Sequence, residues 1–243
     1  MVERRGGSGI ATFFVETPPA AGTTVPLAES TANHARVRRL AVGDAVRLTD
    51  GAGRVAHGTL RALGRRDAAV DVSSVDAVPQ PPALVLLVPV ADRERMLWLA
   101  EKAAELAVSE WRPVLFARSR SVSPRGEGES FARKVRARMI GALEQSGGAW
   151  LPALSDEAMP GDAIAACRDA RGLWLDAGAM PLPALGPFGP TAVAIGPEGG
   201  FEAEERDAFA AAEWRAASLG ATTLRFETAG VAAAAIVRAA QAR

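Results

Sequence analysis

Two glycine-rich stretches carry the residue types that could hold a small molecule through main-chain groups. The first is Ile195-Gly196-Pro197-Glu198-Gly199-Gly200-Phe201; the second runs Leu219-Gly220-Ala221-Thr222-Thr223-Leu224-Arg225-Phe226-Glu227-Thr228-Ala229. Glycines around a proline let the backbone take dihedrals that a side chain forbids, and leave amide and carbonyl groups open to a ligand. A lone G-P-E-G-G turn is equally an ordinary tight connection. A second glycine turn downstream changes the reading, because two such turns can form opposite walls of one slot that grips a flat ring with little help from charged side chains.

Other chemistries lack their residues. There is no G-x-S-x-G elbow, and the two histidines, His34 and His57, both lie in the first eighty residues, so a Ser-His-Asp triad is not expected. No G-x-x-x-x-G-K-[ST] loop occurs, and Val88-Pro89-Val90-Ala91-Asp92 lacks the glycines of a dinucleotide fingerprint. With one cysteine, Cys167, and two histidines, no metal site is expected.

The elements that position the two turns follow from hydrophobic pattern. The apolar run Thr191 to Ile195 and the acid-rich Glu202 to Phe209 make the first turn a strand-to-helix connection. From residue 83 strands alternate with helices: Ala83–Val88 strand, Asp92–Val108 helix, Trp111–Phe116 strand, Phe131–Leu143 helix, Gly172–Asp176 strand, and an alanine-rich helix from about Thr228. That rhythm predicts an α/β domain with a largely parallel sheet, which binds ligands beyond the carboxyl ends of its strands. Ala232 to Ala235 give the last helix a thin face suited to burial or to a dimer partner. Lys102 lies beside the apolar stripe of the first helix, placed to snorkel or to meet a phosphate.

Residues up to 80 read differently. Ala11–Val15, Ala45–Thr49, Arg54–Leu60 and Ala68–Val72 are short β-like runs, and Asp50-Gly51-Ala52-Gly53 is a hairpin signal. Ser30–Leu40 predicts a short basic helix. A small all-β barrel with such a helix fits an RNA-reading module. Pro79-Gln80-Pro81-Pro82 is the expected linker, giving domains 1–78, 79–82 and 83–243.

The chain has 243 residues, 49% of them hydrophobic and 23% charged, enough for a sizeable core. No apolar run suits a membrane span or signal peptide, so a cytoplasmic protein is expected. Net charge is zero, yet residues 112–138 hold 8 basic and 2 acidic groups. That local excess could engage phosphates, or be a solvated surface.

Four stretches taken in order, Asn33-His34-Ala35-Arg36-Val37-Arg38-Arg39-Leu40 with Gly43-Asp44, Glu144-Gln145-Ser146, Ile195 to Phe201 and Leu219 to Ala229, resemble the RsmE family. Those are the 16S ribosomal RNA (uracil-N3) methyltransferases of the SPOUT class. The resemblance spans nearly the whole chain. It implies an N-terminal PUA-like barrel that binds RNA, a C-terminal α/β SPOUT domain tied as a trefoil knot, a homodimer, S-adenosyl-L-methionine as methyl donor, and a role in rRNA processing and ribosome biogenesis.

By the same resemblance the cofactor lies against Leu173, Ile195, Gly196, Glu198, Gly199, Gly200, Leu219, Gly220 and Leu224. Arg225 is a candidate to stabilise a developing uracilate or to pair with an acid; Glu198 to orient a base or water, or to cap a helix. The RNA-binding candidates are Asn33, His34, Arg36, Arg38, Arg39, Arg118, Arg120, Arg133, Lys134, Gln145 and Ser146, with capping and packing the competing role for Asn33 and His34. Three places in the chain depart from the family pattern: Gly148 and Thr222 stand where it has arginine, and Val90-Ala91 where it has lysine. These losses fall on charges and spare the glycines, so a SPOUT methyltransferase with another RNA target, and a catalytically weak RNA-binding ribosome assembly factor, are the alternatives.

Overall fold

The computed structural model describes residues 10–17, 19–121, 126–186 and 188–242. The chain divides into two compact units, one of residues 1–79 with 143–150 and one of residues 80–142 with 151–243.

The first unit is a five-stranded sheet in the order β1-β3-β4-β5-β2. Its strands are β1 (Ala11–Phe14), β2 (Thr24–Leu27), β3 (Ala45–Thr49), β4 (Arg54–Leu63) and β5 (Ala68–Ala77). Strands β1 and β3 are parallel and the remaining pairs antiparallel. The β3–β4 hairpin turns where its sequence demands: Gly51 and Gly53 take φ of 68° and 93°, and Asp50 Oδ1 accepts from the amides of Ala52 and Arg54. Phe13, Leu48, Leu60 and Val70 form the core with Ala32 and Ala35 of helix α1 (Glu29–Val37). The helix stops short of the expected Leu40, because Arg39 adopts a left-handed φ of 59° and Leu40 turns back to bond Ala35.

Residues 143–150 join this unit. Glu144 accepts from the Phe14 amide at 2.9 Å, Gly53 donates to the Ala149 carbonyl, and the Trp150 indole donates to the Val78 carbonyl. Nothing in their local sequence announces these long-range bonds.

The second unit carries a six-stranded, all-parallel sheet in the order β11-β9-β10-β6-β7-β8. The strands are β6 (Leu84–Pro89), β7 (Glu110–Val114), β8 (Ala153–Leu154), β9 (Arg171–Leu175), β10 (Thr191–Ala194) and β11 (Arg215–Ala217). Every residue of β6 is buried, and its alternating side chains enter two separate cores. Leu84, Leu86 and Val88 pack with helices α2 (Arg93–Glu105), α3 (Glu129–Ser146) and α6 (Phe226–Gln241). Val85 and Leu87 face α4 (Pro160–Ala166) and α5 (Ala203–Ala211). Helices on both faces close the sheet to ligands except at its ends.

Gly172 shows how tightly the second face is filled. A Cβ added there would stand 2.2 Å from the Trp214 ring, which lies against the bare strand backbone. Gly172→Ala should therefore overpack this core and destabilise the unit by about 1–3 kcal/mol, read as a lowered midpoint in chemical denaturation.

Candidate functional site

The two glycine turns meet. Strand β10 ends at Ala194, and Ile195, whose amide donates to the Leu87 carbonyl, leads into a tight turn closed by the Gly200 amide on the Pro197 carbonyl at 2.8 Å. Gly200 takes φ of 73°. Opposite, the chain leaves β11 and runs from Leu219 to Leu224 before entering α6. Between them lies a cleft of about 190 Å³ lined by Ile195, Gly196, Glu198, Gly200, Leu219, Gly220 and Leu224, with Thr222, Thr223, Phe201 and Phe226. It opens at the carboxyl ends of β9, β10 and β11, where an all-parallel sheet leaves main-chain groups free.

The second wall is chemically distinctive. Among the described residues, no amide or carbonyl from Leu219 to Leu224 makes a hydrogen bond. A run of main-chain donors and acceptors left open along one side of a cleft suits a ligand whose edge carries polar groups. Gly220 adopts φ of 142°, a conformation that a side chain would resist.

Not every expected cofactor position faces this space. Leu173 is fully buried inside β9, and the strand meets the cleft two residues later, through Leu175, Asp176 and Ala177. Gly199 is turned away: its carbonyl accepts from Arg118, and an added Cβ would stand 2.7 Å from Arg118 Cδ. Arg206, on α5, lines the cleft and lies 3.9 Å from Asp176. The sequence reading omitted Asp176 and Arg206, although an aspartate at the carboxyl end of a parallel strand is a signal that could have found the first.

Of the candidate catalytic residues, Glu198 lines the cleft, whereas Arg225 stands between the lining residues Leu224 and Phe226 without lining it. Glu198 Oε1 accepts from Arg95 Nη1 at 3.1 Å, and Arg95 Nε lies 4.0 Å from Glu227, itself 9% exposed. Glu227 Oε2 is buried without a partner among the described residues. Arg225 holds the N-cap position of α6 with an exposed side chain that makes no hydrogen bond or ion pair among the described residues.

The first turn is held from behind by carboxylates. Glu205, only 7% exposed, accepts from the amides of Glu202 and Ala117, each at 2.8 Å, completing a capping box at the start of α5. Arg118 Nε bonds Glu202 at 2.7 Å, and this pairing holds its guanidinium charged, above the usual arginine range. Arg118, an RNA-binding candidate from the sequence, thus also ties down the turn; charge is legible in sequence, but the partner is not.

The remaining RNA-binding candidates divide between the units. In the first, His34 packs edge-on to Phe13 and its Nδ1 lies 3.4 Å from Glu144 Oε2, which joins the Asn33–Leu40 and Glu144–Ser146 motifs. Asn33, Arg36, Arg38, Arg39, Gln145 and Ser146 are exposed beside that joint; Arg36 donates to the Arg65 carbonyl and Ser146 to that of Leu143. In the second unit Arg133 and Lys134 are exposed on α3, Arg133 being 3.8 Å from Glu129, and the Arg120 side chain lies outside the described residues. Among the described residues no helix is long and apolar enough to cross a membrane.

Comparison with known proteins places this geometry. Residues 78–238 match the model of an RNA methyltransferase domain, and residues 27–73 that of an RNA methyltransferase PUA domain. The chain belongs to the RNA methyltransferase family. Its architecture is the expected one, a PUA-like β domain followed by an α/β domain of SPOUT type. A ribosomal RNA small subunit methyltransferase E from Neisseria gonorrhoeae, solved bound to S-adenosyl methionine, is 25% identical with a TM-score of 0.85, covering 95% of this chain and 98% of that one. A probable rRNA-methyltransferase from Porphyromonas gingivalis is 26% identical with a TM-score of 0.79, covering 96% and 99%. The fold is shared also by a putative methyltransferase from Legionella pneumophila, 23% identical, TM-score 0.85, covering 96% and 98%. No curated protein sequence matches the chain.

The tie behind the methyltransferase's first turn can be tested directly. Glu205→Ala removes the acceptor of two amides in a nearly closed environment and should cost about 3 kcal/mol, while Glu205→Gln, keeping one acceptor oxygen, should cost less. Denaturant midpoints of the two variants measure the difference.

Proposed function

We propose that this RNA methyltransferase binds S-adenosyl-L-methionine in the cleft between the Ile195–Gly200 and Leu219–Leu224 turns and methylates uracil N3 of a uridine in small-subunit 16S ribosomal RNA. The observation that carries the reading is the unbonded main chain from Leu219 to Leu224 facing the glycine turn. A nucleoside with an attached amino acid offers ring edges, hydroxyls and an ammonium-carboxylate pair, the groups that such a wall can satisfy. The sulfonium of the donor supplies an already activated methyl group.

The residues then have three tasks. Ile195, Gly196, Gly200, Leu219, Gly220 and Leu224 hold the donor by contact and main-chain hydrogen bonding. Arg225, immediately after the second turn and without a protein partner among the described residues, stabilises the negative charge that uracil develops as its N3 proton passes to water. Glu198 has one oxygen engaged by Arg95, and Oε2 orients the incoming base or a water. Leu173 and Gly199 support the two strands and the turn without facing the ligand.

The resemblance further supports a working homodimer, a C-terminal domain threaded as a trefoil knot, and a cytoplasmic setting with the assembling small subunit as partner. Light scattering should give twice the 25.2 kDa chain mass; a monomer at micromolar concentration contradicts the dimer.

Incubation with methyl-labelled cofactor and undermethylated small subunits should place label on uracil N3; label elsewhere, or none, refutes the assignment. Gly220→Val, which forces a side chain onto φ of 142°, should lower cofactor affinity at least tenfold in calorimetry and leave RNA affinity unchanged.

A further inference from the structure

Arg47 is a half-buried guanidinium without a counterion among the described residues. It lies at the middle of β3, opposite Thr12 of β1 on one side and His57 of β4 on the other, while its neighbours Val46 and Leu48 fill the core of the first unit. Alternation along the strand therefore puts Arg47 on the outer face of the sheet, in a polar row of Thr12, Arg47, His57 and Ser74. Its Nε is buried without a hydrogen-bond partner, and among the described residues its guanidinium makes no hydrogen bond or ion pair.

The acids around it are committed elsewhere. His57 takes Asp76 at 2.9 Å, and Glu144 is divided between the Phe14 amide and His34. Yet Gly147, at the end of the Glu144-Gln145-Ser146-Gly147 segment, lies against Arg47: a Cβ there would stand 3.1 Å from its Nη1. A buried cationic donor stays unpaired at a cost, unless a ligand completes it.

Gly148 of the same segment is tightly packed. A side chain at 148 would begin 2.8 Å from Leu143 Cδ1, so in this packing a larger residue needs Leu143 to move. Arg47 brings a guanidinium to the same segment from the strand beneath.

We propose that Arg47 is an RNA-binding residue of the first unit, whose guanidinium donates to a phosphodiester oxygen beside Gly147. The exposed Arg36, Arg38 and Arg39 follow His34, which lies 3.4 Å from Glu144 of the same segment. The inference rests on the reading above that the substrate is RNA.

The test uses the full-length protein and a uridine-containing RNA hairpin of small-subunit rRNA sequence, with affinity measured by fluorescence anisotropy over a salt series. Arg47→Gln should weaken binding about tenfold and lower the salt-dependence slope by about 1, because one phosphate contact is lost. Arg47→Lys keeps a point charge and should restore the slope. Cofactor affinity and melting temperature should stay at wild-type values. An R47Q variant with wild-type affinity and slope overturns the proposal alone, as does a loss that R47K shares in full and that follows a lowered melting temperature. Wild-type protein that fails to bind the RNA overturns it together with the proposed substrate.

Discussion

Burial of both faces of the central strands constrains everything else in the catalytic unit. With Leu84, Leu86 and Val88 in one core and Val85 and Leu87 in the other, β6 has no wet face, and β10 repeats the arrangement with Val193 and Ala192. Helices must then cover both sides of the sheet, and polar main-chain groups can reach a ligand only where strands end. The cleft stands at the carboxyl ends of β9, β10 and β11 for that reason, and its chemistry is mainly that of backbone amides and carbonyls.

A site built from backbone needs its loops fixed, since glycine-rich turns are entropically costly to order. Fixation comes from the opposite side of the turn. Glu205 bonds the amides of both Glu202 and Ala117, and Arg118 spans Glu202 and the Gly199 carbonyl. Four aromatic rings, Phe116, Phe201, Trp174 and Phe209, interlock beneath, with centroids 5.0 to 5.9 Å apart. The turn is thereby rigid on its rear face and open on its front.

Much of this was legible in the sequence, and the failures have physical causes. The hairpin at Asp50–Gly53, the strand Ala45–Thr49 and the strand-turn-helix at Ile195–Phe201 depend on local turn chemistry and periodicity, which a single sequence displays. Strand β2 has only four residues, one of them Pro26, and pairs solely with β5 at the sheet edge, so it lacks the alternation that marks a strand. The shift from Leu173 to Leu175 reflects where β9 ends, which depends on pairing with β10 and β11. The association of residues 143–150 with the first unit rests on single long-range bonds, such as Glu144 to Phe14, that no periodicity encodes.

Charge was the least transferable signal. The excess of basic groups over residues 112–138 looks like a phosphate-binding field when counted along the chain, but the fold supplies acids from outside that window. Arg112 pairs with Glu110, Arg118 with Glu202 and Arg138 with Glu101, while Arg133 meets Glu129 within it. Pairing of this kind weakens the field, and beyond a Debye length, roughly 8 Å at physiological ionic strength, screening removes most of what remains. Arg36, Arg38, Arg39 and Arg47 behave differently, because no carboxylate among the described residues pairs with them. Like the exposed Arg225, they remain open to an anion from outside the protein. A guanidinium's availability is thus decided by the partner that folding brings to it, which a linear charge profile does not display.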